Sequence, residues 1–236
     1  LATERIECQG VVLSETVYGE SDRILRLYTE RKGKVSVIVK GAKSRRSRFL
    51  PLSEVFTFGL YRLSRGRSFY YLNSGKILQT NLGLRSSYDR LIYASAIVEI
   101  VDRSSMEGEG TPRIFSLLRK TLHELSTEKE PLPLFLGFVI KYVSFMGYRP
   151  LIPIADGEEA YFLPDRGIVE GEYIPGGVAV DPADIYTFRH LLYTSLDKIN
   201  LDMMEERTLE NCYGLLIRYL KVNLDLDKIQ SLQLRM

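Results

Sequence analysis

Cysteine is nearly absent from this 236-residue chain: Cys8 and Cys212 stand far apart, and neither belongs to a CxxC pair. That excludes a disulfide framework and a cysteine-built zinc site, and it leaves both thiols as small apolar residues suited to a core. Histidine is as scarce. His123 and His190 each fall in a helical stretch with no cysteine or serine partner for nucleophilic catalysis, so they read as surface or packing residues. No apolar run approaches the roughly 18 residues of a membrane span. Glu4, Arg5 and Glu7 stand where a signal peptide needs an apolar run, so the expectation is a cytoplasmic protein with no membrane partner. Nucleotide motifs are missing too. Gly33-Lys34 and Gly75-Lys76 are followed by Val35 and Ile77 where a phosphate-binding loop needs Ser or Thr, and no G-x-G-x-x-G follows a strand.

What is present is an ordinary globular composition, 45% hydrophobic and 26% charged, over a very uneven charge distribution. Residues 1–87 hold 16 Lys and Arg against 7 Asp and Glu, a net +9, whereas residues 88–236 hold 16 against 23, a net −7. One part is built to meet a polyanion and the other stays soluble on an acidic surface.

Five short segments rich in β-branched and aromatic residues, 5–15, 23–30, 34–40, 55–62 and 68–74, read as strands. Val35, Val37 and Val39 alternate with Ser36, Ile38 and Lys40 in the third, and Phe56, Phe58 and Leu60 repeat that period in the fourth. Five strands in about 80 residues fit an OB-fold barrel. After residue 85 the period becomes helical, with helices expected at 87–103, 112–126, 132–146, 182–197 and 206–223. Thr111-Pro112 and Asp181-Pro182 supply N-caps before a first-turn proline, and Gly147 supplies a helix stop. The five glycines and four prolines of residues 148–180 mark an irregular or short-stranded insertion. The expected fold is therefore α+β and multidomain: an OB-fold nucleic-acid-binding domain over 1–83, then an all-α helical domain over 84–236 with an insertion near 150–180.

The sharpest segment runs from Val39 to Phe49. It places Lys40, Lys43, Arg45, Arg46 and Arg48 within nine positions, and residues 31–53 hold eight basic residues and no acidic one. Such a run is stable where phosphates approach, and its glycine and serines leave backbone amides and hydroxyls free to help. A second patch, Arg62, Arg65 and Arg67, flanks Tyr61, Phe69, Tyr70 and Tyr71. Phe69 and Tyr71 share one face and suit the barrel core, which leaves Tyr70 as the candidate platform for base stacking. Arg23, Lys34, Arg65 and Arg67 are expected to assist the loop. The bland alternative is a solvated basic loop. The enzyme alternative is a magnesium-dependent nuclease built on Asp156, Glu158, Glu159, Asp165, Glu170 and Glu172, with nothing in the sequence to fix their geometry. The binding alternative is an RNA-binding or scaffolding OB-fold protein, since stacking and phosphate recognition do not separate the two polymers.

Gly10-Val11-Val12-Leu13, the run Tyr18 to Leu25, Thr29-Glu30 to Gly33-Lys34, Val39 to Lys43 and Ser47-Arg48-Phe49 together resemble the N-terminal signature of bacterial RecO proteins in order and spacing. Gly147-Tyr148-Arg149-Pro150-Leu151 resembles the segment preceding that family's zinc knuckle, and Tyr219-Leu220 onward its closing helix. The resemblance covers nearly the whole chain and is specific in the first 50 residues. It implies an OB-fold and a helical domain, no catalysis and no cofactor, binding of single- and double-stranded DNA, and ATP-free annealing. The partners it implies are RecR, the acidic C-terminal tail of single-stranded-DNA-binding protein (SSB) and, through them, RecA. A groove lined by Phe138, Lys141, Tyr142 and Arg149 is the expected seat for that acidic tail. Where many members carry two CxxC pairs, this chain has Pro153 and Asp156, then Glu170 and Tyr173, so no zinc is expected. Packing of Ile152, Ile154, Tyr161, Phe162 and Ile168 is expected to fasten the insertion in its place.

Overall fold

A computed structural model describes residues 4–127, 129–154, 159–172, 174–199 and 204–235. Five strands, β1 (Arg5–Tyr18), β2 (Asp22–Thr29), β3 (Gly33–Val39), β4 (Phe58–Arg65) and β5 (Tyr70–Gln79), close into a barrel in the order β1-β2-β3-β5-β4. All neighbours are antiparallel except β3 and β5, which run parallel where Val37 meets Tyr70 and Ile38 meets Tyr71. This is the OB-fold arrangement. Alternation puts Cys8 and Val12 of β1, Leu25 and Leu27 of β2, and Val35, Val37 and Val39 of β3 into one core. Cys8 is buried and free, and desolvation pushes its thiol up to about 11.

The fourth strand departs from the 55–62 reading in both span and phase. Phe56 takes a left-handed backbone (φ 74°), and its carbonyl accepts the Asn81 side-chain amide at 2.9 Å, so extended structure begins only at Phe58. Tyr61 and Leu63 then fill the interior, and Phe58 lies outside the barrel against Phe115, with ring centroids 6.1 Å apart. Tyr61, grouped by sequence with the stacking aromatics, is completely buried and donates its hydroxyl to the Leu52 carbonyl at 3.1 Å.

Among the described residues five α-helices follow, α1 (Tyr88–Ser104), α2 (Pro112–Leu125), α3 (Pro131–Phe145), α4 (Pro182–Tyr193) and α5 (Glu206–Leu224). The punctuation works as read. The Thr111 hydroxyl accepts the Ile114 amide at 3.2 Å, the Asp181 amide donates to the Asp184 carboxylate at 3.2 Å, and Gly147 takes φ +97° just past α3. Helix α4 stops four residues before the expected 197, because Thr194 and Ser195 turn extended and a short 3-10 turn over Leu196–Lys198 follows.

The chain gathers into two compact units, Leu1–Ser126 with Gln230–Met236, and Thr127–Ile229. In the first, α1 lies on the barrel through Asp102, which accepts from Ser14 at 3.1 Å and from Arg26 at 2.9 Å. The closing residues return to α1, where Glu99 accepts the backbone amides of Gln230 and Ser231 at 2.8 and 2.9 Å.

The second unit is helical apart from the expected short-stranded insertion, where β6 (Ala160–Leu163), β7 (Gly167–Glu170) and β8 (Val178–Val180) form a small antiparallel sheet in the order β7-β6-β8. Phe162 and Ile168 fasten it. Both are buried, and Phe162 packs against Phe188 and Tyr219 with centroids 6.2 Å from each. Ile152 and Tyr161 are half-buried, and Ile154 takes no part, being 91% exposed. The residues do not fit a thiolate zinc site: Pro153 has no side-chain donor and Glu170 supplies a carboxylate, while Asp156 and Tyr173 lie outside the described residues.

Candidate nucleic-acid interface

The loop from Lys40 to Arg48 leaves the end of β3 with its apolar residues turned in and its cations turned out. Ala42 is fully buried in the barrel core and Phe49 packs partly against it, so the intervening residues are pinned at both ends. The base is also tied to the β1–β2 turn. The Gly41 amide donates to the Asp22 carboxylate at 2.9 Å and the Lys43 amide to the Ser21 carbonyl at 3.0 Å. The Gly41 amide, then the Ser21 hydroxyl, hold the Asp22 carboxyl below the usual carboxylate range. Successive turns, with Ser47 N–H on Ser44 carbonyl (2.9 Å) and Leu50 N–H on Ser47 carbonyl (3.1 Å), keep the segment compact.

Between those anchors Lys43, Arg45, Arg46 and Arg48 are exposed or nearly so, as is Lys40 beside them. Among the described residues no carboxylate comes within 4.0 Å of any of the five. Two of them lie on rings, Lys40 with its ammonium 5.8 Å from the centroid of Tyr71 and Arg48 with its guanidinium 4.7 Å from that of Phe49. Arg67 is exposed on the β4–β5 turn, and Arg65 is exposed with a loose 3.4 Å pair to Glu4.

Three of the expected DNA contacts are otherwise engaged. Arg23 is largely covered and paired with Glu15. Lys34 is 12% exposed, lies 3.6 Å from Asp102 and donates to the Asp102 carbonyl, so it fastens α1 to the barrel. Tyr70 packs partly against the core cluster, on the inward side of β5 with Leu72, whereas Tyr71 points out. The exposed ring is therefore Tyr71. The signal was Leu72: a residue two positions after Tyr70 shares its face in a strand, and leucine belongs inside.

The groove expected in the second unit is not formed by the residues named for it. Phe138 and Tyr142 are completely buried and stacked on each other at 5.3 Å, because α3 is apolar on nearly every side and is packed all round. Lys141 donates to the carbonyls of Leu191 and Leu192, at the end of α4, where those groups lack helical partners. Only Arg149 stays exposed, donating to the Tyr193 hydroxyl at 2.6 Å with its guanidinium 5.2 Å from that ring. Of the acidic residues weighed for a nuclease, Glu159, Asp165, Glu170 and Glu172 are exposed, and Asp156 and Glu158 lie outside the described residues. Among the described residues, no three or more His, Cys, Asp or Glu gather where a metal ion could sit, and no helix is long and apolar enough to cross a membrane.

Comparison with known proteins meets this geometry at both ends of the matched region. The family model "Recombination protein O N terminal" matches residues 4–81, the barrel, and "Recombination protein O C terminal" matches residues 85–152, which take in α1, α2 and α3. A protein named DNA repair protein RecO from Acetivibrio thermocellus is 30% identical over 148 residues, 62% of this chain and 59% of its own length. Those of the same name from Clostridium acetobutylicum and Alkaliphilus metalliredigens are each 34% identical, over 142 and 146 residues, 60% and 61% of this chain and 58% and 59% of their own lengths. The chain thus matches somewhat under three fifths of each of these relatives. Barrel topology, helical continuation and two consecutive family matches agree, and the chain belongs to the recombination protein O family.

Proposed function

We propose that this protein is a non-catalytic DNA repair and recombination mediator. In this reading it binds single- and double-stranded DNA on the loop 40–48, anneals complementary strands without ATP and helps load a recombinase onto SSB-coated DNA. The observation that carries it is the outward-facing cluster Lys40, Lys43, Arg45, Arg46 and Arg48 at one end of the barrel, none of which forms an ion pair among the described residues. The names of the relatives support the repair role.

Annealing is opposed by repulsion between two polyanions. Cations that neutralise both strands lower that cost, and the counterions they displace make binding fall with salt. Tyr71, beneath Lys40, offers a ring on which a base stacks with little regard to sequence. RecR, the SSB acidic tail and, indirectly, RecA are the partners of this reading. For the tail, Arg149 beside Tyr193 is the one residue of the expected four still presented to solvent.

The test is a salt titration of single-stranded DNA binding, followed by annealing in EDTA without ATP. Replacing Arg45 and Arg46 by alanine is expected to flatten the slope of log affinity on log salt by about 1.4, roughly 0.7 for each phosphate no longer neutralised. An unchanged slope removes the loop from the interface. Competition between matched DNA and RNA single strands separates a repair mediator from an RNA-binding barrel protein.

A further inference from the structure

At the other end of β3 from the cationic loop, a cavity of about 200 Å3 opens beside the β4–β5 turn. Its lining includes Lys32, Arg65 and Arg67, the rings of Phe69 and Tyr70, and a single carboxylate, Glu107. We infer that this cavity receives one unstacked base carrying an exocyclic amine on its Watson–Crick edge, cytosine foremost, and that Glu107 reads that edge. The inference rests on the strand-binding reading above and adds to it a preference among bases.

Size is the first argument. The cavity is smaller than the roughly 300–1,000 Å3 of sites that enclose drug-sized ligands, which leaves room for a ring but not for its sugar and phosphate as well. Phe69 and Tyr70 are half-buried and supply flat apolar walls, while Lys32, Arg65 and Arg67 carry their charges at the rim, where the phosphates flanking an inserted base would lie.

The second argument is the carboxylate. A structural acid among three cations would be expected to pair with one of them, yet among the described residues Glu107 makes no ion pair and accepts only the Ser36 hydroxyl. An ionised carboxylate has about four lone-pair sites, so acceptor capacity remains. An acceptor repels phosphate oxygens; set against ring position 4 it repels the O4 of thymine or uracil and accepts a hydrogen from the N4 amine of cytosine, whereas set against N3 it would accept the uracil N3–H instead. Glu107 is also held in place. Its segment is bridged to β3, with the Gly108 amide on the Lys34 carbonyl at 2.8 Å and the Lys34 amide on the Glu109 carbonyl at 3.3 Å. From Val35 at the cavity to Val39 before the loop is four strand residues, roughly 13 Å, a span that a few nucleotides cover.

The experiment compares equal-length single strands of dC and dU, which differ on the Watson–Crick edge (amine and bare N3 against carbonyl and N3–H), in anisotropy titrations with the full chain. The intact protein is expected to prefer dC about fivefold, the factor one net hydrogen bond supplies. Glu107→Gln, whose amide both donates and accepts, is expected to bring the ratio to one, while Arg67→Ala weakens both strands equally. Equal binding of dC and dU by the intact protein, or a ratio that survives Glu107→Gln, overturns the inference. If the ratio is one while the salt slope still depends on Arg45 and Arg46, the pocket fails and the strand-binding loop stands. If no strand binds, titration with dCMP and dUMP followed at the Gly108 amide decides for the pocket by itself: a shift with dCMP alone upholds it as a site for the free nucleotide, and no shift ends it.

Discussion

Two sets of cations share the basic first third of this chain, and the structure gives them opposite employment. Lys34 and Arg26 converge on Asp102 of α1, with Lys34 12% and Asp102 10% exposed, whereas Lys43, Arg45, Arg46 and Arg48 face outward and meet no carboxylate among the described residues. A count of charges puts all of them into one positive module. What separates a fastening cation from one left available to a ligand is whether a carboxylate arrives from a distant part of the chain, and Asp102 arrives from 68 residues beyond Lys34.

The comparison breaks most visibly if Asp102 is removed. Asp102→Ala leaves Lys34 on the main-chain carbonyl of residue 102 but without its counter-charge in a covered position, and takes acceptors from Arg26 and Ser14, so urea denaturation is expected to show a loss of about 3 kcal/mol. The two tyrosines give the next effect. Tyr70→Ala is expected to cost about 2 kcal/mol because the ring packs partly in the core. Tyr71→Ala is expected to leave stability within about 0.5 kcal/mol and to lower single-stranded DNA affinity about fivefold. Equal stability losses in both would mean that β5 presents neither ring to solvent. The Arg45→Ala/Arg46→Ala pair sharpens the contrast from the other side, since it is expected to change the unfolding free energy by less than about 0.5 kcal/mol, charge being removed where nothing in the fold uses it.

The smallest effect concerns Asp22, whose carboxyl is held low chiefly by the Gly41 amide. A lowered folded pKa means that the ionised acid is the one that holds the loop. Its contribution is complete above the ordinary carboxylate pKa and is lost as pH falls through the lowered value. The Gly41 amide resonance is therefore expected to stay constant through mild acid and to move only below the usual carboxylate range, and Asp22→Ala should abolish that step.

Much of the architecture is legible in the residues themselves. Val35, Val37 and Val39 declare the inner face of β3, and Thr111-Pro112 and Asp181-Pro182 mark helix starts within a residue of where they fall. The misreadings have identifiable causes. Phe56 breaks the fourth strand through a backbone conformation that no side-chain pattern announces, so the alternation read from Phe56 onward is out of phase. Phe138, Lys141 and Tyr142 sit on α3, where ten buried positions leave no polar face to show which side meets solvent. Sequence separates strands from helices near residue 85 but does not say that α1 and α2 join the barrel's compact unit, because that depends on Asp102 and on Phe58 meeting Phe115. The cationic loop is readable since a run of charge needs no tertiary knowledge. The availability of each charge is not.

The parallel seam between β3 and β5 has a further implication. The cylinder is completed by only two residue pairs, Val37 with Tyr70 and Ile38 with Tyr71, while every other junction is a longer antiparallel ladder. The wall is thinnest in hydrogen bonds along the line joining the cationic loop to the base-sized cavity, so breathing of the barrel should start there. Amide deuteration would then reach residues 70 and 71 before the β1–β2 hairpin, and a strand laid across that line would act as a staple that slows it.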